Sequence, residues 1–248
     1  MVTLTEAAAP LDGLLHPVPP VTPGICRVCH HVPGPGYPQC ASCHRTTSQV
    51  SRPLQHVLPM TAFQTGGQVW HHLRYYKDAR DPAVRETLLI PLLAVLTRFL
   101  QRHGRCVAPD GWDAITCVPS TRHPEQPHPL LTGMQRVGSL RDSVVNLLGP
   151  GASAITHNQA ADDGYRALDR GTERVLLADD TFTTGARLQS AASALSLAGY
   201  DIVGAVVIGR VFTPDFSDSH GRVWQMCEER AFDPDVSAAR RFCPVAAM

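Results

Sequence analysis

Two adjacent carboxylates, Asp179 and Asp180, stand between a short apolar run and a hydroxyl-rich turn. The turn contains three threonines and a glycine: Thr181, Thr183, Thr184 and Gly185. Backbone N–H groups and hydroxyls in such a turn can converge on an anion at the positive end of a following helix, and the glycine permits close approach. Carboxylates would repel phosphate alone, so we expect a ligand that also offers hydroxyl donors. A sugar phosphate carries both kinds of group.

The elements around the doublet are predicted to be a strand, a turn and a helix. Val175–Ala178 is a short continuous apolar run, typical of a strand buried on both faces. Apolar residues then recur at helical spacing from Leu188 to Ala198, and Gly199 supplies a stop. In an open α/β sheet the turn would lie at the carboxyl end of a strand, where ligands bind. An Asp-Asp turn that only caps a helix is the alternative.

The segment VLLADDTFTTGA, residues 175–186, resembles the phosphoribosyl-pyrophosphate (PRPP) signature of type I phosphoribosyltransferases. The resemblance implies an α/β fold, with a parallel sheet flanked by helices and a hood. It also implies that the acidic pair holds the ribose hydroxyls and that the loop holds the 5′-phosphate. The implied PRPP-binding residues are Asp179, Asp180, Thr181, Phe182, Thr183, Thr184, Gly185 and Ala186. The family usually has Thr or Ser where this chain has Arg187, whose guanidinium could still reach the phosphate.

A second predicted strand, Trp112–Val118, leads into a polar turn. Type I enzymes place their pyrophosphate loop after such a strand, and hydroxyls with a guanidinium suit a doubly anionic leaving group. The resemblance therefore assigns pyrophosphate to Ser120, Thr121, Arg122 and, from a basic segment further upstream, Lys77. A plain surface loop and a solvated basic face are the alternatives. Residues 123–129 lack the family's Gly-Phe-Asn-Gln stretch, which leaves the acceptor open.

Two C-x-x-C pairs lie near the amino terminus, and their cysteines are Cys26, Cys29, Cys40 and Cys43. Four thiolates joined by a Gly- and Pro-rich spacer suit tetrahedral zinc, and a complete set of ligands predicts a structural role. Two disulfides or a redox dithiol are the alternatives. The neighbouring His30, His31 and His44 are candidate replacements for a cysteine ligand. A segment this small would need the metal to fold.

A zinc knuckle ahead of a PRPP signature resembles the ComF-like, competence-associated phosphoribosyltransferases. That resemblance implies transfer of the 5-phosphoribosyl group from PRPP with Mg²⁺ to a small nitrogen acceptor, releasing pyrophosphate, with Asp179, Asp180 and Arg122 as catalytic residues. A PRPP-binding regulator without turnover and a DNA-uptake or DNA-repair accessory protein are the alternatives. All these hypotheses require the two carboxylates to face a cleft. Burial of the doublet in ion pairs would leave only an α/β fold with a metal knuckle.

The whole chain has 248 residues, 22 Lys and Arg against 22 Asp and Glu, and 44% hydrophobic residues. We expect a disordered leader over residues 1–24, a zinc-binding knuckle module over 25–50 and a phosphoribosyltransferase-like domain over 51–248. Zero net charge argues against direct nucleic-acid binding through bulk charge. The longest apolar run, Leu88–Leu96, is too short to span a bilayer, and no signal peptide is recognised, so we expect a cytoplasmic protein. An oligomer is left open.

Two further helices are predicted, over Pro82–His103 and Leu130–Leu148, and the first is expected to be kinked or interrupted at Pro91. Two further strands are predicted over Ile202–Ile208 and Arg222–Met226. A right-handed crossover would place the first of these strands beside the strand that precedes the doublet. Residues 158–174 are polar, and we expect them to be mobile.

Overall fold

A computed structural model describes residues 3–121 and 126–232. The strands are β1 (Leu58–Gln64), β2 (Ala114–Cys117), β3 (Leu148–Pro150), β4 (Tyr165–Ala167), β5 (Arg174–Phe182) and β6 (Asp201–Phe212). The helices are α1 (Leu4–Ala8), α2 (Ala41–Thr47), α3 (Gln68–Asp78), α4 (Pro82–Val107), α5 (Pro129–Met134), α6 (Ala186–Leu197) and α7 (Asp218–Glu228). The predicted α/β class with a parallel sheet flanked by helices is confirmed.

The main sheet is parallel and has the strand order β1-β6-β5-β2, while β3 and β4 form a separate antiparallel pair. β5 is a central strand, which explains its continuous apolar run. The strand extends four residues beyond the predicted Val175–Ala178, because pairing with β6 continues through Thr181 and Phe182. The doublet therefore lies within the strand, whereas the sequence predicts it between the strand and the turn.

The predicted helix and strand that follow the doublet are confirmed as α6 and β6, and β6 pairs with β5 as expected. Gly185 precedes α6 with φ +86°, and Gly199 follows it with φ +105°, both in the left-handed region that favours glycine. α4 passes through the buried Pro91 without interruption.

The amino-terminal segment is ordered from Thr3 onward, so the predicted disordered leader is wrong for residues 3–24. Thr3 and Glu6 form a reciprocal capping box at the start of α1. Leu11 and Leu15 are buried in the same apolar cluster as α4. Apolar residues at positions 4, 8, 11 and 15 recur at helical spacing, and this pattern outweighs the prolines that suggested disorder.

Three other regions differ from the predictions. Of the long helix expected over Leu130–Leu148, only α5 forms, and Leu148 begins β3 instead. The strand expected over Arg222–Met226 is part of α7, because Trp224 and Cys227, three residues apart, are both buried on one helical face. The polar segment 158–174 contains β4, which pairs with β3.

Apolar clusters lie on both faces of the main sheet. Leu176 of β5 packs in the cluster that contains α4, whereas Leu177 packs in the cluster that contains α6. The four knuckle cysteines belong to this second cluster, so the knuckle segment shares a core with the sheet. Among the described helices, none combines the length and the apolar character that crossing a bilayer requires.

Candidate ligand cleft and cysteine centre

A cleft of about 510 Å³ opens at the carboxyl ends of the parallel strands. Its polar walls come from the loop after β5, one face of α3 and the two residues that follow Pro119. The predicted residues that line it are Lys77, Ser120, Thr121, Asp179, Thr181, Phe182, Thr183, Thr184, Gly185 and Ala186. Arg122, assigned above to catalysis and to pyrophosphate, lies outside the described residues. The fold therefore gathers most of the predicted ligand residues at one edge of the sheet, as expected for an open α/β sheet.

The glycine of the loop is required by its surroundings. A Cβ atom added to Gly185 would lie 2.5 Å from Cζ of the Phe182 ring, and its φ of +86° is strained for other residues. Gly185 is also the N-cap of α6 and has no side chain to cap it, so the only described side-chain bond to an N–H of the first helical turn is the one from the Ala186 N–H to the Thr184 hydroxyl. The amide-rich start of this helix therefore faces the cleft with its partial positive charge.

Thr184 anchors the loop, whereas the other two threonines are presented to the cleft. The Thr184 hydroxyl oxygen accepts from the N–H groups of Asn158 and Ala186, each at 3.4 Å. Its carbonyl accepts from the Thr46 hydroxyl at 3.4 Å, which ties the loop to α2. Thr183 is exposed and Thr181 is partly exposed, so of the three predicted phosphate hydroxyls these two remain accessible.

Asp180 does not line the cleft, and its side chain is fully buried. Its Oδ2 accepts from the Tyr76 hydroxyl at 2.6 Å and from the Lys77 ammonium. Burial by itself would raise the pKa of Asp180, but Lys77, His128 and Arg187 together hold this pKa well below its usual value. The expectation that both carboxylates face the cleft is therefore wrong for Asp180, which is an ion-paired core residue.

Asp179 does line the cleft, but it is paired as well. Its Oδ2 lies 3.4 Å from the Arg187 guanidinium, and its Oδ1 accepts from the Asp180 N–H at 2.9 Å. Burial raises the pKa of Asp179 to about 7, while Arg187 acts in the opposite direction. A ligand hydroxyl can reach this carboxylate only beside Arg187 or in its place. Arg187, which stands where type I phosphoribosyltransferases usually have Thr or Ser, thus lies on the side of the predicted site where the ribose is expected.

Lys77, like Arg187, joins the buried carboxylate of Asp180 to the cleft wall. Its ammonium is bonded to Asp180, yet its side chain is 20% exposed and lines the cleft. The predicted pyrophosphate contact therefore competes with an existing ion pair. Arg74, one turn earlier on α3, also lines the cleft, but its guanidinium pairs with Asp78 at 2.9 Å.

Two buried residues at this site, Tyr76 and His128, were not predicted as functional. His128 caps α5, because its Nδ1 accepts from the Leu130 N–H at 3.2 Å. Its Nε2 lies 3.9 Å from Oδ2 of Asp180 and has no hydrogen-bond partner within the described ranges. No local sequence signal marks either residue, since they reach Asp180 from α3 and from the start of α5.

The ligand atoms of His128, Asp179 and Asp180 lie within 4.8 Å of one another, a spacing that would also suit a metal ion. The hydrogen bond from Leu130 occupies the Nδ1 lone pair of His128, so the neutral ring carries its proton on Nε2. A protonated Nε2 cannot ligate a metal. Lys77 and Arg187 already supply positive charge to both carboxylates. We therefore assign no metal to this group.

The four predicted metal ligands are brought together. The Sγ atoms of Cys26, Cys29, Cys40 and Cys43 lie within 4.8 Å of one another, all four residues are buried, and none is in a disulfide. The Sγ atoms of Cys29 and Cys40 are 3.7 Å apart. Zn–S bonds of about 2.3 Å in a tetrahedron place neighbouring sulfurs about 3.8 Å apart, so the cluster has the dimensions of a tetrathiolate metal site.

No histidine is needed to complete this set. The adjacent His30 uses Nδ1 to contact the Pro19 carbonyl at 2.8 Å and Nε2 to contact His56 at 2.9 Å. His44 is exposed on α2. The predicted set of four cysteines is therefore the simplest description of a structural metal site, and the cluster could hold a metal such as zinc.

Arg210 is a buried cation beside the cysteines, and the sequence analysis missed it. Only 3% of the residue is exposed, its charge faces Cys29, Cys40 and Cys43, and no described carboxylate lies within ion-pairing distance. Four thiolates around one divalent ion carry two negative charges, which would supply the missing counter-charge. The buried Arg210 therefore agrees independently with an ionised, metal-bound cluster.

The same guanidinium connects the cysteine centre to the ligand loop. Arg210 donates through one nitrogen to the carbonyls of Phe182, at 3.1 Å, and Val211, at 2.8 Å. Its guanidinium carbon lies 5.1 Å from the centroid of the Phe182 ring. Phe182 in turn packs where a Gly185 Cβ would be. The cysteine cluster and the predicted phosphate loop therefore share one buried support.

The charges around the cleft favour an anionic ligand. Lys77 and Arg187 are positive, Asp180 is negative, and Asp179 is partly protonated near neutral pH. The start of α6 adds a partial positive charge.

No protein-family model, curated protein or solved structure matches this chain. The function proposed below therefore depends on the chemistry of this cleft and on the signature in the sequence.

Proposed function

We propose that the protein binds PRPP in this cleft, with the 5′-phosphate in the loop from Thr181 to Ala186. The observation that carries the proposal is the arrangement of that loop. It presents two threonine hydroxyls and the start of α6, whose N-cap is a glycine, to a cleft that is also lined by Lys77 and Arg187. Phosphate is recognised by this combination of amides, hydroxyls and helix terminus.

The ribose would be held by Asp179 alone. This carboxylate lines the cleft, whereas Asp180 is buried among Tyr76, Lys77 and Arg187. The Arg187 guanidinium would move from Asp179 to the ligand phosphate when the ribose hydroxyls bind Asp179. Because one of the two carboxylates expected to bind ribose is ion-paired in the core, the geometry favours a protein that binds PRPP without turnover, as a PRPP-responsive regulator does.

Phosphoribosyl transfer to a nitrogen acceptor, with a ComF-like phosphoribosyltransferase fold, is the second candidate, and one observation favours it. Ser120 and Thr121 follow β2 and line the same cleft as Lys77, so the pyrophosphate of PRPP would have a polar wall of its own. Mg²⁺ bound with PRPP would neutralise part of the leaving charge. Among the described residues of the cleft we assign no general base. Positioning and charge stabilisation would therefore carry the reaction.

For the cysteine centre we propose structural zinc. Sulfur ligands and four-fold coordination are the preferences of Zn²⁺, and a closed set of four leaves no open position for catalysis. Four close thiols that are not in disulfides also fit a reducing compartment, so we propose the cytoplasm as the site of action. Zinc analysis of the purified protein, with one metal per chain as the expected result, tests the first proposal.

Calorimetry with the zinc-loaded protein tests PRPP binding. We expect PRPP with Mg²⁺ and ribose 5-phosphate to bind, since both carry the 5′-phosphate. Thr181→Val and Thr183→Val should each weaken binding by roughly tenfold, the usual effect of one hydrogen bond to a charged group. Thr87→Val, which removes an exposed hydroxyl on α4 outside the cleft, is the matched control. Absence of heat with both ligands at millimolar concentration would reject the proposal.

Pyrophosphate release distinguishes the two candidates. PRPP and Mg²⁺ are incubated with the protein and a panel of nitrogen acceptors, including ammonia and heterocyclic bases. Binding without release in any mixture supports the regulator. Release that requires one acceptor, and that Lys77→Gln abolishes, supports the transferase.

A further inference from the structure

Two buried side chains that lie 3.9 Å apart, His128 and Asp180, each carry one polar atom without a hydrogen-bond partner in the described part of the chain. These atoms are Nε2 of His128 and Oδ1 of Asp180. The His128 and Asp180 side chains are almost completely buried, at 1% and 0% exposure. An unsatisfied buried group of this kind is costly, so a pair of them in one place calls for an explanation.

The two atoms have complementary roles. The N–H of Leu130 donates to Nδ1 of His128, which fixes the ring proton of the neutral imidazole on Nε2. Nε2–H is then a donor directed toward a carboxylate, and Asp180 is an acceptor. Burial lowers the pKa of His128 to about 4, which keeps the ring neutral and preserves this cap near neutral pH. The separation of 3.9 Å between Nε2 and Oδ2 is about one ångström longer than a hydrogen bond.

The present partner of Asp180 is also the residue that a ligand would attract. Lys77 bonds to Oδ2 of Asp180, and its side chain reaches the cleft. A diphosphate in the cleft would draw the ammonium toward its own oxygens. Arg187 lies 3.7 Å from Oδ1 of Asp180 and would be drawn in the same direction. Asp180 would then keep only the Tyr76 hydroxyl, and a buried carboxylate that loses its ion pairs is strongly destabilised.

We propose that His128 is a positioning residue that replaces Lys77 as the donor to Asp180 when an anionic ligand draws the lysine into the cleft. The ring approaches by about one ångström, Nε2–H donates to the carboxylate, and no proton is transferred. The trigger in this inference depends on the proposed ligand. The exchange itself depends only on the departure of the Lys77 charge, so a lysine variant reproduces it without any ligand.

Long-range proton–nitrogen correlation spectra of the zinc-loaded protein test the exchange, with the His128 signals assigned by their loss in His128→Asn. We expect Nδ1 without a proton and a weakly bonded Nε2–H in the free protein. Lys77→Gln should move the Nε2–H resonance downfield, as should magnesium pyrophosphate or PRPP added to the wild type. Arg74→Gln, which removes a charge from the same wall without touching Asp180, should leave the resonance unchanged.

Unfolding in urea supplies a second readout. Asn at position 128 can still cap α5 but is too short to reach Asp180. His128→Asn should raise the unfolding equilibrium constant by roughly tenfold more in the Lys77→Gln background than in the wild type, because the loss of ring packing is common to both. Equal effects in both backgrounds, or an unshifted Nε2–H in Lys77→Gln, would overturn the inference. If the lysine variant shows the shift but neither PRPP nor pyrophosphate binds, the exchange stands and the proposed function fails.

Discussion

Replacement of Arg210 by Gln tests whether the buried guanidinium is the counter-charge of the cysteine centre. Arg210 as a whole is 3% exposed, and its guanidinium faces three of the four cysteines and donates to two backbone carbonyls. Glutamine retains an N–H donor for a carbonyl but removes the charge. Arg210→Lys retains the charge and loses the planar fork, so the two variants separate the electrostatic contribution from the hydrogen bonds.

The magnitude follows from the charges. A tetrathiolate with one Zn²⁺ has a net charge of −2, and Arg210 is the only described cation that both faces the cluster and is fully buried. Groups that support metal ligands in this way typically change metal affinity by about 10- to 100-fold. We therefore expect Arg210→Gln to weaken zinc binding by that factor, which is about 1.4 to 2.7 kcal/mol. Arg210→Lys should remain within about threefold of the wild type, which is about 0.7 kcal/mol.

The metal-free protein should depend less on Arg210. Burial raises the pKa of Cys29 and the neighbouring sulfurs raise the pKa of Cys43, so without zinc these two thiols keep their protons near pH 7 and less negative charge faces Arg210 than in the tetrathiolate. Arg210→Gln should therefore destabilise the apoprotein less than it destabilises the zinc-loaded protein. Zinc affinity is measured by competition with a chromogenic chelator, and stability by urea unfolding with and without zinc. Equal zinc affinity in Arg210→Gln and the wild type would refute the reasoning.

Three further predictions concern the loop, the doublet and the amino terminus. Gly185→Ala should destabilise the fold by about 1–3 kcal/mol and abolish PRPP binding. The added Cβ would lie 2.5 Å from the Phe182 ring, and the φ of +86° is strained for alanine. Urea unfolding and calorimetry measure the two effects, and a variant that binds PRPP normally would contradict the prediction. The unfolding free energy of the wild type relative to Asp179→Asn should fall as pH rises from about 4 to 7, by at most about 1.4 kcal/mol per pH unit. Native Asp179, whose pKa burial raises to about 7, retains a proton that the unfolded chain has lost, whereas the buried histidines contribute equally to both proteins. Urea unfolding of both proteins at pH 5 and pH 7 measures this difference, and an equal difference at the two pH values would contradict the prediction. Leu11→Ala should cost about 2–5 kcal/mol, since Leu11 is completely buried; a disordered leader would give no measurable change.

Local patterns were sufficient for several parts of this fold. The apolar run before the doublet predicted the central strand, and the helical spacing after it predicted α6 and its end near Gly199. The spacing of two C-x-x-C pairs predicted four cysteines that meet. In each case the interaction is decided within a few residues or by a fixed ligand geometry, so little knowledge of the rest of the chain is needed.

The amino-terminal segment and α7 show where a local pattern was outweighed. Prolines suggested disorder before residue 24, but Leu11 and Leu15 bury themselves against α4. The sequence around Trp224 suggested a strand, but the helix forms because it buries Trp224 and Cys227 on one side. Burial against distant elements supplies free energy that a local propensity cannot register.

The partners of the acidic doublet were decided by the tertiary structure alone. The sequence places Asp179 and Asp180 side by side, but alternation along a strand sends them to different surroundings. Asp180 meets Lys77 and His128, which lie about 50 to 100 positions away and arrive on separate helices. Whether a carboxylate faces a cleft or a cation depends on the free energy of burying its charge, and that is determined only when all these elements pack together.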